Sequence, residues 1–291
     1  MKKHIFTGSG TALITPFCDE GRKVDYGFFE TLCEHQITHK TDALIIAGTT
    51  GESPVLKNDE KSGLFELAVK TSNRRIPVIA GTGSNNTEEA VKKSNEAEKK
   101  GVNALLVVTP YYNKCTQEGI IKHYSFIADR VSVPLIVYNV PSRTGVNIKP
   151  ETYKALSEHK NIVAVKEANG DLSSVAHTLS LCGDSLDIYS GNDDQTVAIN
   201  SLGGKGVISV ASNIIPEDMH KIASNKKDSA DLLKLYYDLM DAMFYEVNPI
   251  PVKAAVEMIW KKTLPLRLPL TRLKAENAEK LRKIMKSYNL I

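Results

Sequence analysis

The chain has 291 residues, of which 42% are hydrophobic and 24% charged, a balance typical of a globular protein with a sizeable core. Its 37 basic and 34 acidic residues leave a net charge of +3, which is too small to indicate a nucleic-acid partner. No window reaches the length of a membrane span and no signal peptide is visible, so we expect a cytoplasmic protein without a membrane partner.

Short β-branched runs alternate with amphipathic stretches, a pattern that predicts strands followed by helices. The runs are almost continuously apolar, as strands of a parallel sheet covered on both faces must be. Eight such strands over roughly 220 residues predict a (β/α)₈ TIM barrel. A doubly wound sheet is the alternative, but "GTGSNN" lacks the third glycine of its fingerprint. The predicted strands are 10–17, 43–48, 77–83, 104–110, 134–140, 162–168, 187–191 and 206–212.

Beyond about residue 228 the alternation stops, and three segments with helical periodicity follow. They are "SADLLKLYYDLMDAMFYEV", "IPVKAAVEMIW" and "LKAENAEKLRKIMKSY". We therefore expect a catalytic barrel over residues 1–228 and a C-terminal three-helix appendage over residues 229–291. The basic residues of the last segment are interleaved with leucines, which favours a solvated helix face over a binding surface.

The cysteines and histidines give no metal-binding pattern. The four cysteines are scattered without a CxxC pair, which is typical of reduced thiols. His35 and His39 have helical i, i+4 spacing, but Gln36 stands where the zincin pattern requires glutamate. We expect no metal site.

A lysine ends the predicted sixth strand. Ile162 to Val165 are apolar, and Lys166 continues the run without a break. A lone lysine at such a position would direct its ammonium to solvent or pair with Glu167, because burying it unpaired is costly. In barrel enzymes, however, functional groups gather at the carboxyl ends of the strands. The same rim would receive the side chains of Thr49, Thr50, Tyr111, Tyr112, Tyr138 and Arg143.

This set of groups suits imine chemistry. An apolar site disfavours the ammonium form of a lysine and leaves a free amine that can attack a ketone. Forming and breaking a Schiff base requires proton transfers, which tyrosine and threonine hydroxyls can relay. Arg143 offers a planar fork suited to a carboxylate. A keto acid such as pyruvate meets both demands.

The motifs "GTTGES", "YYN", "YNVPSRTG", "KEA", "SGND" and "GVISV" together resemble those of the dihydrodipicolinate synthase family. The resemblance covers essentially the whole chain, including "NPIPVKAA" (248–255) and "LRLPLTRL" (266–273). It implies condensation of pyruvate with aspartate semialdehyde to 4-hydroxy-tetrahydrodipicolinate, in lysine and diaminopimelate biosynthesis. The wider class I pyruvate aldolase family, which includes N-acetylneuraminate lyase and keto-deoxy sugar acid aldolases, shares the barrel, the lysine and the tyrosine. Arg143 within "PSRTG", and "KEA" rather than "KFT", favour the synthase.

The resemblance also implies a role for each matching residue. Lys166 would form the imine, so that no other cofactor is needed, and Tyr138 would act as general acid and base. Thr50 and Tyr112 would complete a proton relay. Tyr112 would reach into a neighbouring subunit, so we expect a homodimer or homotetramer. The implied substrate-binding positions are Arg143 at the aldehyde's carboxylate, Thr49 and the Thr50 backbone at the pyruvate carboxylate, and the backbones of Gly191 and Ile208.

A regulatory site is implied in part. Ser53, Asn85, Glu89 and Tyr111 match positions at which some family members bind lysine as an inhibitor at a subunit interface. Sensitive bacterial members carry histidines at the positions of Asn58 and Lys61. A cation at Lys61 would oppose a cationic effector, so we expect weak or absent inhibition by lysine.

Two non-enzymatic functions compete with this interpretation. A barrel that only binds a keto acid would need the arginine and backbone donors but not the amine. A scaffold would use the basic helical tail to bind a partner. The joint presence of the lysine, both tyrosines and the threonine favours the enzyme.

Overall fold

The computed structural model describes residues 4–224 and 226–291. Eight parallel strands close into a barrel in which each strand pairs with its neighbours along the chain and the first pairs with the last. The predicted TIM barrel is confirmed. Its strands are β1 Gly8–Ala12, β2 Ala43–Ile46, β3 Val78–Gly81, β4 Ala104–Val108, β5 Leu135–Asn139, β6 Ile162–Glu167, β7 Asp187–Ser190 and β8 Gly206–Ser209.

Helices surround the barrel and continue into the tail. A short antiparallel ribbon, Phe17–Cys18 with Lys23–Val24, lies beyond β1. The helices are α1 Tyr26–Thr38, α2 Asn58–Ser72, α3 Thr87–Lys99, α4 Gln117–Ala128, α5 Pro141–Thr144, α6 Pro150–Ser157, α7 Leu172–Cys182, α8 Thr196–Ser201, α9 Pro216–Ala223, α10 Ser229–Leu235, α11 Tyr237–Ala242, α12 Ile250–Trp260 and α13 Ala275–Ser287. Among the described residues, no helix is both long enough and apolar enough to cross a membrane.

The first strand begins earlier and ends earlier than residues 10–17 predicted. Its sequence GSGTA is small rather than β-branched, because β1 and β8 approach closely at this end of the barrel. A Cβ at Gly206, whose φ is +144°, would lie 1.9 Å from the carbonyl oxygen of Gly8. Close contact between β1 and β8, not β propensity, therefore requires glycine at position 206.

Side chains alternate between the inside of the barrel and the layer beneath the helices. Ile136, Tyr138 and Ala164 belong to one cluster with Phe6, Ile45 and other inward residues. Leu135, Val137 and Val165 belong to a second, larger cluster that includes the helices. This period of two directs Lys166 to the same face as Ala164 and turns Glu167 towards the helices.

The C-terminal tail contains one helix more than the three predicted. The predicted first helix is divided into α10 and α11 at Tyr236, whose φ and ψ are −95° and 8°. The hydroxyl of Tyr236 donates to Asp218 at 2.7 Å, and its ring lies 5.2 Å from that of Tyr288. These long-range contacts hold the residue at the break, and residues 229–291 therefore contain four helices in the structure.

The tail packs on the barrel through apolar side chains and a buried ion pair. Val252, Ala255 and Val256 on α12 join the core cluster that covers the outside of the strands. Lys253 on the same helix reaches Glu52 at 2.6 Å, with both side chains 1% exposed. Arg267 adds a paired contact to Glu60 at 2.6 Å. The division of the chain at residue 228 stays a prediction.

The buried ion pair generates a stability prediction. Lys253→Met is expected to lower the free energy of unfolding by about 3 to 5 kcal/mol, because it leaves the Glu52 carboxylate buried without its cation. Urea unfolding measures this change. Lys280→Met is the control, since Lys280 and its partner Glu276 are 55% and 80% exposed. It should leave the free energy of unfolding nearly unchanged. Equal losses in the two variants would contradict a stabilising role for the buried pair.

Candidate active site

The predicted catalytic lysine and tyrosine lie side by side inside the barrel. The register of β5 and β6 pairs Tyr138 with Lys166. Lys166 Nζ lies 4.4 Å from the centre of the Tyr138 ring, and the two residues are 6% and 7% exposed. Adjacent parallel strands therefore bring the amine and the phenol together in an apolar surrounding, where a proton can pass between them through short movements.

Lys166 differs from the other buried lysine in the described part of the chain. Lys253 is paired with Glu52, whereas none of the ion pairs among residues 4–224 and 226–291 includes Lys166. A carboxylate contact would hold a lysine in its ammonium form and mask its lone pair. Among the described residues no ion pair restrains Lys166, so its Nζ can approach a bound carbonyl carbon.

A buried aspartate, Asp193, interacts electrostatically with Lys166. It was not among the site residues predicted from the sequence. Asp193 Oδ2 accepts hydrogen bonds from the backbone N–H groups of Val210 and Ala211 at 3.1 and 2.8 Å. Burial raises the pKa of Asp193, and the Lys166 charge opposes that rise. The signal was available in the sequence, because Asp193 closes the quoted "SGND" motif.

Thr50 and Arg143 are joined by a residue of the tail. Asn248 Nδ2 donates to Thr50 Oγ1 at 3.0 Å, and Arg143 Nη2 donates to the backbone oxygen of Asn248 at 3.1 Å. Thr50 and Asn248 are both buried. Two of the residues predicted from separate strand ends are thus brought together, and the residue between them was missed.

The remaining predicted substrate-binding positions surround the same strand ends. Gly191 follows β7 and donates its N–H to the backbone oxygen of Glu167 at 2.7 Å. A Cβ at Gly191 would lie 2.6 Å from that of Ala168, so a side chain does not fit there. Ile208 on β8 is buried in the same inner cluster as Tyr138, and Thr49 is half-buried next to Thr50.

Tyr112 is not buried in the barrel. Its side chain is 90% exposed, and its φ of 71° lies in the left-handed region that side chains other than glycine rarely adopt. An aromatic residue held in such a conformation is often found at a functional site. Its neighbour Tyr111 is 37% exposed.

The positions matched to the lysine-effector site lie on loops and helix starts beside this rim. Ser53 begins a short 3₁₀ turn, Asn85 accepts a hydrogen bond from Asn113 at 3.0 Å, and Glu89 is in the first turn of α3. Asn58, Lys61 and Lys93 line a small cavity, which Glu96 also lines. Burial lowers the pKa of Lys61 to about 8, and the charge of Lys93 adds to that effect.

Glu167, next to Lys166 in sequence, points the other way and forms a hydrogen-bonded cluster beneath α6. Its carboxylate accepts from Tyr153 Oη at 2.6 Å, Asn139 Nδ2 at 2.9 Å and the N–H of Asn169 at 2.9 Å. Burial raises the pKa of Glu167 to about 7. The cluster ties the strand end that bears Lys166 to the helix layer.

No group of three or more histidine, cysteine, aspartate and glutamate side chains in the described residues is arranged to hold a metal ion. The polar groups of the site are therefore an amine, hydroxyls, a guanidinium, an amide and one buried carboxylate. Such a set can bind a carboxylate and transfer protons around a carbonyl carbon.

The chain is similar to known proteins in both sequence and fold. A family model described as "Dihydrodipicolinate synthetase family" matches residues 5–288. The 4-hydroxy-tetrahydrodipicolinate synthase 1 of Clostridium acetobutylicum is 49% identical, over 99% of each chain. A crystal structure of dihydrodipicolinate synthase from Thermotoga maritima is 42% identical, with a TM-score of 0.96 and coverage of 99% of this chain and 100% of that one. A chloride-inhibited dihydrodipicolinate synthase from Acinetobacter baumannii, complexed with pyruvate, is 38% identical, with a TM-score of 0.95 and coverage of 98% and 99%.

The buried Glu167 generates a pH prediction. The pKa of Glu167 is about 7 when folded, against 4.5 for the ordinary group, so the folded state holds a proton that the unfolded state has released. Wild-type stability therefore falls as pH rises through this interval. Glu167→Gln lacks the titration, and its unfolding free energy relative to wild type should rise by about 2 to 3 kcal/mol from pH 5 to pH 8. Urea unfolding at several pH values measures the difference, and a difference that stays constant with pH would contradict the prediction.

Proposed function

The chain belongs to the dihydrodipicolinate synthetase family, and we propose that it condenses pyruvate with L-aspartate-4-semialdehyde to 4-hydroxy-tetrahydrodipicolinate in lysine and diaminopimelate biosynthesis. It is then a lyase that works through a lysine imine. The observation that supports this most directly is the buried Lys166 amine, 4.4 Å from the Tyr138 ring and without an ion-pair partner among the described residues.

The first covalent step uses the lone pair of Lys166. Its nitrogen bonds to the keto carbon of pyruvate, and the keto oxygen takes up a proton to give a carbinolamine. The nitrogen gives up one proton, and a second proton on the oxygen lets it leave as water, which leaves the protonated imine. The imine then acts as an electron sink, so a proton can leave the pyruvate methyl group, the resulting enamine carbon can attack the aldehyde, and the aldehyde oxygen takes up a proton. The amino group of the semialdehyde then attacks the imine carbon and displaces the Lys166 nitrogen, which closes the ring and returns the free lysine.

Proton transfer falls to the hydroxyl groups around the amine. Tyr138 is adjacent to Lys166 on the neighbouring strand and serves as general acid and base. Thr50 passes the proton onward to the partner subunit's Tyr112. Since Tyr112 is 90% exposed in the single chain, we assign it to the site of a partner subunit, which makes the working unit a homodimer or homotetramer.

Substrate carboxylates are held at the rim. The guanidinium of Arg143, fixed by Asn248, faces the carboxylate of aspartate semialdehyde. Thr49 and the Thr50 backbone bind the pyruvate carboxylate, and Gly191 and Ile208 line the pocket through their backbones. The matching Acinetobacter baumannii structure is of a complex with pyruvate, which supports the choice of keto acid.

We also propose that the imine on Lys166 is the only covalent carrier, without a metal or further cofactor. The partners are then the two small substrates and other copies of the chain, with no nucleic acid or membrane, and the protein acts in the cytoplasm. Ser53, Asn85, Glu89 and Tyr111 form the counterpart of an effector site for lysine. Lys61 and Lys93 line a cavity with one carboxylate, that of Glu96, and this excess of positive charge disfavours that effector.

Borohydride trapping tests the proposed function. After incubation with pyruvate and reduction, the mass of the intact protein should rise by one pyruvate-sized adduct, located on the peptide that contains Lys166. Lys166→Ala should give no adduct, because no other amine occupies this site. The exposed Lys149→Ala variant is the matched control and should be labelled like wild type.

The outcomes separate the competing functions. A folded wild-type protein that gives no adduct would overturn the imine mechanism and favour a barrel that only binds keto acids. An adduct on Lys166, combined with turnover of N-acetylmannosamine or a sugar-derived aldehyde well above that of aspartate semialdehyde, would instead favour a sialic acid lyase or a keto-deoxy sugar acid aldolase.

Lysine inhibition gives a separate prediction. Initial rates measured with increasing L-lysine should stay close to the uninhibited rate, because Lys61 and Lys93 would oppose an effector with two ammonium groups more than Glu96 of the same cavity would attract it. D-lysine at equal concentration controls for ionic strength. Inhibition by micromolar L-lysine would show that the two cations do not oppose binding.

A further inference from the structure

Asn248 lies in the tail, between α11 and α12, yet its contacts are with the rim of the barrel. Its side chain donates to Thr50 Oγ1 at 3.0 Å and its backbone oxygen accepts from Arg143 at 3.1 Å. These are two residues that the proposed function places at the substrates. The contact between Asn248 and Thr50 spans 198 positions of sequence.

The hydrogen bond from Asn248 determines how the Thr50 hydroxyl can act. A threonine hydroxyl has one proton to donate and two lone pairs that accept. Because the amide N–H of Asn248 occupies one lone pair, the Thr50 proton cannot point towards that nitrogen. The second lone pair and the proton are left for other groups, which is the arrangement that a proton relay requires.

The loop that carries Thr50 is fixed by the tail at a second point. Glu52 has a left-handed φ of 55°, and its carboxylate accepts from Lys253 at 2.6 Å and from the N–H of Arg267 at 3.1 Å. Lys253 is five residues beyond Asn248 in the same "NPIPVKAA" segment. Asn248 therefore acts on a loop whose backbone is already anchored, and its own effect falls on the Thr50 side chain.

The Asn248 side chain also has a buried atom without a partner among the described residues. Asn248 Oδ1 is an acceptor buried from solvent with no hydrogen bond. Buried acceptors of this kind nearly always bind a donor, since leaving them unsatisfied is costly. The Asn248 amide keeps its Nδ2 contact with Thr50 despite that cost, which indicates that this contact, and not Oδ1, determines its orientation.

We propose that Asn248 is a positioning residue for the reaction, which orients the Thr50 hydroxyl for proton transfer and joins it to Arg143. The inference rests on the proposed function, because it acts through the relay role given to Thr50. It makes the C-terminal segment a part of the active site, although residue 248 lies outside all eight strands and the loops that follow them.

A double-mutant cycle tests the inference. Asn248→Ala is expected to lower kcat by about tenfold to a hundredfold, less than the roughly hundredfold to ten-thousandfold that a proton-transfer group itself contributes, because Asn248 acts only through Thr50. KM for both substrates should change little, since every Asn248 variant keeps the backbone oxygen that holds Arg143. Thr50→Val removes the hydroxyl without changing the size of the side chain. In that background Asn248→Ala should lower kcat by less than about twofold, because the group through which it acts is gone.

Two further variants keep the test decisive. Asn248→Asp is nearly isosteric but replaces the donor by an acceptor, so its kcat should fall at least as far as that of Asn248→Ala. Asn289→Ala changes an exposed asparagine of the tail and should leave kcat unchanged. All variants are compared by circular dichroism, so that a misfolded variant is recognised and Asn248→Asp then takes its place in the cycle.

The contradicting results are distinct from a failure of the proposed function. Equal falls in kcat from Asn248→Ala in the wild-type and Thr50→Val backgrounds would show that Asn248 does not act through Thr50. Wild-type kcat in Asn248→Asp, or a loss confined to KM, would overturn the inference as well. In each of these cases borohydride trapping on Lys166 would still succeed, whereas its failure would overturn the imine mechanism itself.

Discussion

The pairing of Tyr138 with Lys166 across β5 and β6 is the contact on which the proposed chemistry depends. Neighbouring parallel strands hold the two side chains on the same inner face, and a closed barrel has no free edge along which the register can slip. A shift of one residue would turn Lys166 towards the helices and bring Glu167 inside. The fold therefore fixes the site through backbone hydrogen bonds, and side-chain contacts only refine it.

The second constraint is the attachment of the tail. Asn248, Lys253 and Arg267 all contact the loop that follows β2, and the contact from Lys253 is a buried ion pair. A loop that carries catalytic groups must be held within fractions of an ångström, and loops alone seldom provide that. The tail of this chain supplies the rigidity from outside the barrel.

Sequence patterns predicted the barrel because alternation and apolar runs are local signals. They also predicted Lys166 and Tyr138, since a polar group at the end of a buried strand is anomalous in a single sequence. The boundaries of β1 were wrong because close packing of Gly8 against Gly206 depends on a strand nearly two hundred residues away. Asn248 and Asp193 were missed for the same reason, as their partners are distant in sequence or are backbone groups. The role proposed for Tyr112 involves a second chain, and one sequence read alone contains no geometry between subunits.

The central claim is that Lys166 forms a covalent imine with pyruvate in the interior of the barrel. A crystal structure of the protein soaked with pyruvate tests it most directly. The account predicts continuous electron density from Lys166 Nζ to the keto carbon of pyruvate, with the Tyr138 hydroxyl beside the new bond. Pyruvate bound without a bond to Lys166, in crystals that still turn over substrate, would contradict it.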